Sequence, residues 1–186
     1  MHRWGRRFAS LIGALVILLG SAGVSSAQTT DTVSVSGQVA PAPLNISIAT
    51  DSVNFGNIDY KATSQGASPA AQGFEAQGGG AYWTAVTPIV INVSSPNPWT
   101  GQVCRDSGSN VPEGGIRLLG RVPQDQQEAS ADFGGNNVIP TCSGNLTWLL
   151  SGSTGSTTTT KYIGTWVQST DQLGTLSTRL TFSVTT

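Results

Sequence analysis

The chemistry open to this 186-residue chain is bounded first by its histidine content, because the one histidine, His2, lies at the extreme N-terminus. If that terminus is removed on export, as argued below, no imidazole is left to activate a serine or cysteine nucleophile or to ligate zinc or copper. The ten acids are Asp31, Asp51, Asp59, Glu75, Asp106, Glu113, Asp125, Glu128, Asp132 and Asp171. A carboxylate pair can hydrolyse glycosides without histidine, but these acids lie mostly in or beside polar, loop-like stretches, where solvated carboxylates are the simpler expectation. Asp125, Glu128 and Asp132, with Asn136 and Asn137 nearby, offer the hard oxygen ligands that calcium prefers, at a spacing that matches no calcium-loop pattern. The expectation is a protein that is not an enzyme, with no catalytic residue, cofactor or metal.

Cys104 and Cys142 are the two cysteines. On an exported chain the pair reads as one disulfide, closing a loop of about 38 residues and contributing roughly 3–4 kcal/mol in the chain-entropy model. Trp83, Trp99, Trp148 and Trp166, with Tyr60, Tyr82 and Tyr162, contain the aromatic surface a sugar-stacking platform would use. Trp148 and Trp166 alternate in register with other apolar residues and read as core. Tyr82 and Trp83 follow a glycine run and Trp99 follows a turn, so these three are the candidates for an exposed platform, against the alternative that they too anchor the core. Asn45-Ile46-Ser47, Asn92-Val93-Ser94 and Asn145-Leu146-Thr147 are formal glycosylation sequons, several of which arise by chance in a chain this rich in Ser and Thr.

Behind these residues stands an unusual composition. Charged residues make up 10% of the chain, against about 25% in ordinary globular proteins, and the polar surface falls instead to Ser, Thr, Asn, Gln and Gly. Residues 1–27 read as a secretory signal peptide: Arg3, Arg6 and Arg7 precede a short apolar run from Phe8 to Gly20, and Ser25 and Ala27 supply the small residues of a cleavage site. A retained membrane anchor would need roughly 18 apolar residues. The Arg6-Arg7 pair admits the twin-arginine route, though its flanking residues match that signal poorly. Loss of these arginines leaves a mildly acidic chain with no basic cluster, so nucleic acid is not an expected partner, and neither is a membrane after cleavage.

The elements that must hold the remaining residues read as strands. Val33, Val35, Gly37 and Val39 alternate with Ser34, Ser36 and Gln38, and Ala40-Pro41-Ala42-Pro43 then interrupts the ladder, so residues 28–43 are expected as a strand and hinge ahead of a domain over residues 44–186. Alternating segments follow at Leu44 to Ile48 and Val53 to Ile58. Residues 61–81 read as a long polar loop with an anchor at Phe74. Ile89 to Val93 is expected to turn through residues 94–98 and pair with Trp99 to Val103. Ile116 to Val122 forms a further strand, residues 124–139 a polar loop anchored by Phe133, and Leu146 to Leu150 the next strand. Residues 151–160 (SGSTGSTTTT) read as a solvated hairpin loop or a site of O-linked sugar. Tyr162 to Val167 is expected to pair, through a turn at residues 169–174, with the closing strand, where Leu176, Leu180, Phe182 and Val184 share one face. About nine strands and no amphipathic helix after the leader predict an all-β fold, a single β-sandwich with long polar loops.

The combination of a leader, VSVSGQVAPAPLNISI, SVNFGNI, IVINVSSPNPWTGQVC, GNLTWLLSGS and GTWVQ…LSTRLTFSV resembles secreted immunoglobulin-like β-sandwich proteins of bacterial cell surfaces. The nearest likeness is to WxL-like domains and to spore-coat-U-like or fimbria-like subunits. Trp99-Thr100-Gly101 is not a Trp-x-Leu, so wall binding is not implied. The resemblance implies an extracellular structural or adhesive role without catalytic residues. Two partners follow as expectations. One is the chain itself, as a homopolymer, with Val33, Val35, Gly37 and Val39 as a donor strand for a neighbouring subunit, against the alternative of an ordinary edge strand in its own domain. The other is a cell-surface glycan, bound by a module that uses Tyr82, Trp83 and Trp99.

Overall fold

In a computed structural model the alternating segments resolve into ten strands and one helix, within described residues 43–186 apart from 63–65, 69, 109, 144–147 and 173. The expected leader and the strand at residues 33–39 lie outside these described residues. The strands are β1 (Asn45–Ile48), β2 (Gly66–Ser68), β3 (Ala71–Glu75), β4 (Ala81–Ala85), β5 (Ile89–Ser95), β6 (Trp99–Arg105), β7 (Ile116–Leu119), β8 (Trp148–Gly152), β9 (Gly155–Val167) and β10 (Leu180–Thr185), and the helix α1 (Gln126–Gly134) falls between β7 and β8. Seven strands make one sheet, in the order β1-β5-β9-β4-β3-β2 with β7 also on β9, and β10-β6-β8 make the other. The fold class is the one expected, an all-β sandwich of antiparallel sheets.

Strand β9 is the spine of the larger sheet. Its residues 155–161 pair with β5, and farther along Gly164 and Thr165 pair with both β4 and β7, which must therefore flank it on opposite sides. Ile89, Ile91 and Val93 of β5, Ile116 and Leu118 of β7 and Ile163 of β9 project from this sheet onto Trp99 and Val103 of β6 and Leu150 of β8. Each such aliphatic side chain contributes about 1.5–3 kcal/mol when fully buried. A second apolar layer lies on the outer face, where Ala129 and Phe133 of α1 cover Tyr82, Phe74 and Leu119. Gly164 makes that packing possible, because a Cβ there would stand 2.7 Å from both Phe133 and Leu119.

Several segments depart from expectation, for local reasons. The polar loop at residues 124–139 contains a helix. Asp125 caps it by accepting from the Glu128 N–H (2.8 Å), the Glu128 carboxylate accepts from the Gln124 N–H (2.9 Å), and Phe133 is buried from within it. Residues 61–81 hold β2 and β3, and their shortage of large apolar residues has a cause in packing. Gly73 lies beneath the Trp83 ring, where a Cβ would come within 2.6 Å of it, so the tryptophan of the neighbouring strand supplies the bulk. The turn at Gly78, Gly79 and Gly80 uses φ values of 95°, 99° and 91°, which glycine adopts without steric cost. The Thr-rich stretch is strand rather than loop: residues 155–160 belong to β9, as β-branched residues favour, and Thr158 Oγ1 donates to Asn92 Oδ1 (2.8 Å). Residues 53–58 form no strand. Asn54 Oδ1 accepts from the Gly56 N–H (2.8 Å), a local turn that competes with a ladder.

Both expected hairpins are crossovers instead. β5 and β6 lie in different sheets, as do β9 and β10. At the first crossover Ser95, buried, donates through Oγ to the Asn97 carbonyl (2.6 Å) and accepts from the Asn97 N–H (3.2 Å). With Pro96 and Pro98 on either side of Asn97, the chain leaves one sheet and enters the other without a hairpin ladder.

Candidate functional site

Each sheet ends in a strand with one neighbour, and those two ends face each other. β1 pairs with β5 alone and β10 with β6 alone. The Ala49 N–H donates to the Val90 carbonyl (3.0 Å), and the register sets Ser47 opposite Asn92 and Asn45 opposite Ser94. Antiparallel alternation therefore directs the amides of Asn45 and Ser47 to β5 and those of Ile46 and Ile48 to the open edge. The same logic holds across the gap. The Asp106 N–H donates to the Arg179 carbonyl (3.0 Å), so Thr181, Ser183 and Thr185 bond to β6 while the amides of Leu180, Phe182 and Val184 turn outward. The residues with outward amides are also the ones whose side chains pack against the core, and all five remain only half-buried.

Between these edges lies a trough of 540 Å³, walled by Ile48, Val53, Phe55, Leu176, Leu180 and Phe182 and reaching down to Ile89, Ile116 and Ile163 of the core. A second hollow of 330 Å³ shares Val53, Phe55 and Leu176 and prolongs the trough past Gly174. Asp51 and Arg179 stand exposed on its rim.

Local bonds hold both walls. On one side Thr50 Oγ1 donates to the Pro88 carbonyl (2.8 Å), and the Trp83 indole N–H donates to the Asp59 carbonyl (2.6 Å), fixing the irregular segment after β1. On the other side the Asp106 carboxylate accepts from Thr178 Oγ1 (2.6 Å) and from the Arg179 N–H (3.0 Å), and Asn110 Nδ2 donates to the Thr175 carbonyl (3.3 Å). The Thr178 hydroxyl, then the Arg179 amide, hold the Asp106 carboxyl below its ordinary value of 3.8.

The residues singled out in the sequence are placed elsewhere. Cys104 and Cys142 are joined, with an S–S distance of 2.00 Å, and the bond ties the start of the stretch carrying β7 and α1 to its end. Tyr82, Trp83 and Trp99 are 7%, 5% and 2% exposed, so the expected open platform is corrected: these rings are core. Tyr82 stacks on Phe133 at 4.7 Å between centroids, Trp83 covers Gly73, and Trp99 lies on Gly152. Asp125 is committed to the α1 cap, and Glu128 and Asp132 both pair with Arg121, at 3.0 Å and 3.1 Å, so the carboxylates considered for calcium already have partners. Arg117 of β7 is buried beneath α1, its guanidinium 5.5 Å over the Phe133 ring, and burial lowers its pKa. Val33, Val35, Gly37 and Val39 lie outside the described residues.

The trough was not visible as a site in the sequence. The alternation in the last strand assigns Leu180, Phe182 and Val184 to an inward face, but nothing in it signals that the cover over that face is incomplete. Chemically, the arrangement offers unpaired strand amides beside an apolar trough, which suits an extended peptide that pairs along one edge and sets its apolar side chains against the trough. Fold and site together define an all-β sandwich open along one seam. The chain matches no protein-family model and no curated protein.

Proposed function

We propose that this protein is an exported structural or adhesive component of a bacterial cell surface or extracellular matrix, a subunit that assembles with copies of itself into filaments. The observation that carries this reading is the open seam between β1 and β10, where outward amides flank half-buried apolar side chains. Exposed edges of this kind invite strand pairing and are normally blocked. Here the bordering side chains are Ile, Leu, Phe and Val, with one acid and one base on the rim. Support also comes from the leader-like residues 1–27 and from the hydroxyl-rich, weakly charged surface, which carries little repulsion between like copies.

The test is size-exclusion chromatography and electron microscopy of the non-reduced protein after leader removal. Multimers or filaments are expected, and Phe182→Asp, which places a charge in the trough, is expected to reduce them to monomers while keeping the wild-type circular dichroism. A wild-type protein that stays monomeric at every concentration would refute self-assembly.

A further inference from the structure

The larger sheet has a second open edge, on the far side of β5 from β1. Odd-numbered residues of β9 bond toward β4 and β5. Even-numbered ones bond toward β7, because the Leu118 N–H donates away to the Asn137 carbonyl (3.0 Å) and leaves Arg117 and Leu119 for Gly164 and Tyr162. Since β7 begins its pairing only at Tyr162, the amides of Ser156, Thr158 and Thr160 meet no partner among the described residues, and their side chains are exposed. Residues 155–160 carry neither proline nor charge, the usual protections of an edge. We infer that this edge of β9 is the surface on which the β1 edge of a neighbouring copy pairs, head to tail; this rests on the self-assembly reading above.

The two edges match in phase, length and charge. β1 and β9 run parallel, each being antiparallel to β5, so copies stepped along the sheet in one orientation would set β1 parallel to the neighbour's β9. In a parallel pair, a residue whose amides face the partner lies opposite one whose amides face away, with both side chains on one face. Ile46 and Ile48 turn their amides outward and their side chains to the core, while Thr157 and Thr159, in register with Val93 and Ile91, face inward and bond to β5. Ile46 opposite Thr157 and Ile48 opposite Thr159 is therefore in phase. Ile46 could donate to the Ser156 carbonyl and accept from the Thr158 N–H, and Ile48 could donate to the Thr158 carbonyl and accept from the Thr160 N–H. An antiparallel pair of the same edges would invert the neighbour's sandwich. The open slot covers residues 155–161, from the corner at Gly155 (φ 100°) to the end of β7. Leu44 to Thr50 is equally long, and Thr50 Oγ1 then turns away to the Pro88 carbonyl. This register places the neighbour's Lys161 beside Thr50 and Asp51, and neither Lys161 nor Asp51 has an ionic partner among the described residues. Only one ladder forms, so β1 and β10 need not separate. Because the paired surfaces differ, each copy takes a neighbour on both sides and the contact propagates.

Ser47 and Thr158 make a discriminating pair. Within one copy they flank Asn92 in the same row of the sheet, two strand spacings or about 9.6 Å apart, beyond the reach of a disulfide. Across the proposed contact they are opposite each other, at about 4.8 Å. The experiment oxidises the Ser47→Cys, Thr158→Cys double variant of the full chain after leader removal, with the native disulfide intact, and follows it on non-reducing gels and size-exclusion columns. A ladder of covalent multimers is expected. An equimolar mixture of the two single variants should stop at dimers, and Ser47→Cys combined with Ser183→Cys, also exposed, should give no ladder. A ladder from that control as well, or a covalent dimer from Thr158→Cys alone, would overturn the head-to-tail register. Multimers on the column without a bond between positions 47 and 158 would overturn β9 as the partner edge while leaving self-assembly intact, and monomers throughout would overturn both. Thr158→Pro gives an independent readout, because it removes an N–H that bonds nothing within its own domain. A tenfold or greater loss of multimers at unchanged circular dichroism is expected, and unchanged multimers would refute the proposal.

Discussion

Trp99 is the residue on which the two views of this protein diverge most sharply. As a ligand-binding aromatic it would be dispensable for folding; as found, it is 2% exposed and rests on Gly152, where a Cβ would lie 2.5 Å from the indole. Trp99→Ala should therefore cost about 3–5 kcal/mol, and Gly152→Ala about 1–3 kcal/mol by overpacking against the ring. Because the alanine methyl would occupy part of the space the tryptophan vacates, the double variant should be less destabilised than the sum by on the order of 1 kcal/mol, measured as a double-mutant cycle in urea. Additive costs would mean that the two residues do not touch. Asp106 provides a second test at this scale. Its carboxyl is held below 3.8 in the fold by Thr178 and Arg179, so its contribution to stability is present above pH 3.8 and is lost as pH falls through the lowered value. Asp106→Asn should lower the urea midpoint at neutral pH, and the gap between variant and wild type should close under acid. A gap that persists at the lowest pH would show that the charge on this carboxyl is not what anchors the wall of the trough.

At the scale of elements, α1 and the disulfide act on the same stretch of chain. Helix α1 has nine residues and weak amphipathicity, so it relies on its cap and on Phe133 for stability. Asp125→Ala should cost about 1 kcal/mol and should raise hydrogen exchange in residues 126–134 before it affects the sheets. Replacing Cys104 and Cys142 with serine should cost roughly 3–4 kcal/mol by freeing the loop they close, a loss visible in the urea midpoint. The sequence made the strands legible where a strand has one wet and one dry face, as in β1, β5 and β10, since alternation records that asymmetry directly. It concealed β3, because Gly73 delegates its bulk to Trp83, and α1, because a short helix covering an outer face buries only Ala129 and Phe133. Strand partners were less legible than strands. The stretch from Ser94 to Pro98 reads as a hairpin turn in composition, and only the placement of β5 and β6 in different sheets identifies it as a crossover. The seam was the least legible of all, because a half-covered apolar face and a fully covered one have the same alternating sequence.

For the whole molecule, an open seam makes stability a property of concentration. A folded domain that leaves Ile48, Leu180 and Phe182 half-covered gains when another chain covers them, and anything that binds only the folded state stabilises it by mass action. Once multimers dominate, each tenfold rise in protein concentration should add about 1.4 kcal/mol to the apparent stability, which for a domain of this size moves the thermal midpoint by roughly 2–4 °C per kcal/mol. A domain already closed by its own strand behaves differently, since its midpoint is independent of concentration. Scanning calorimetry across a thousandfold dilution series separates the two, with the midpoint expected to climb for the wild type and to stay level for Ile48→Asp at the wild type's most dilute value or somewhat below it. A level wild-type curve would place the cover within the same chain, and would remove the physical reason for this fold to polymerise.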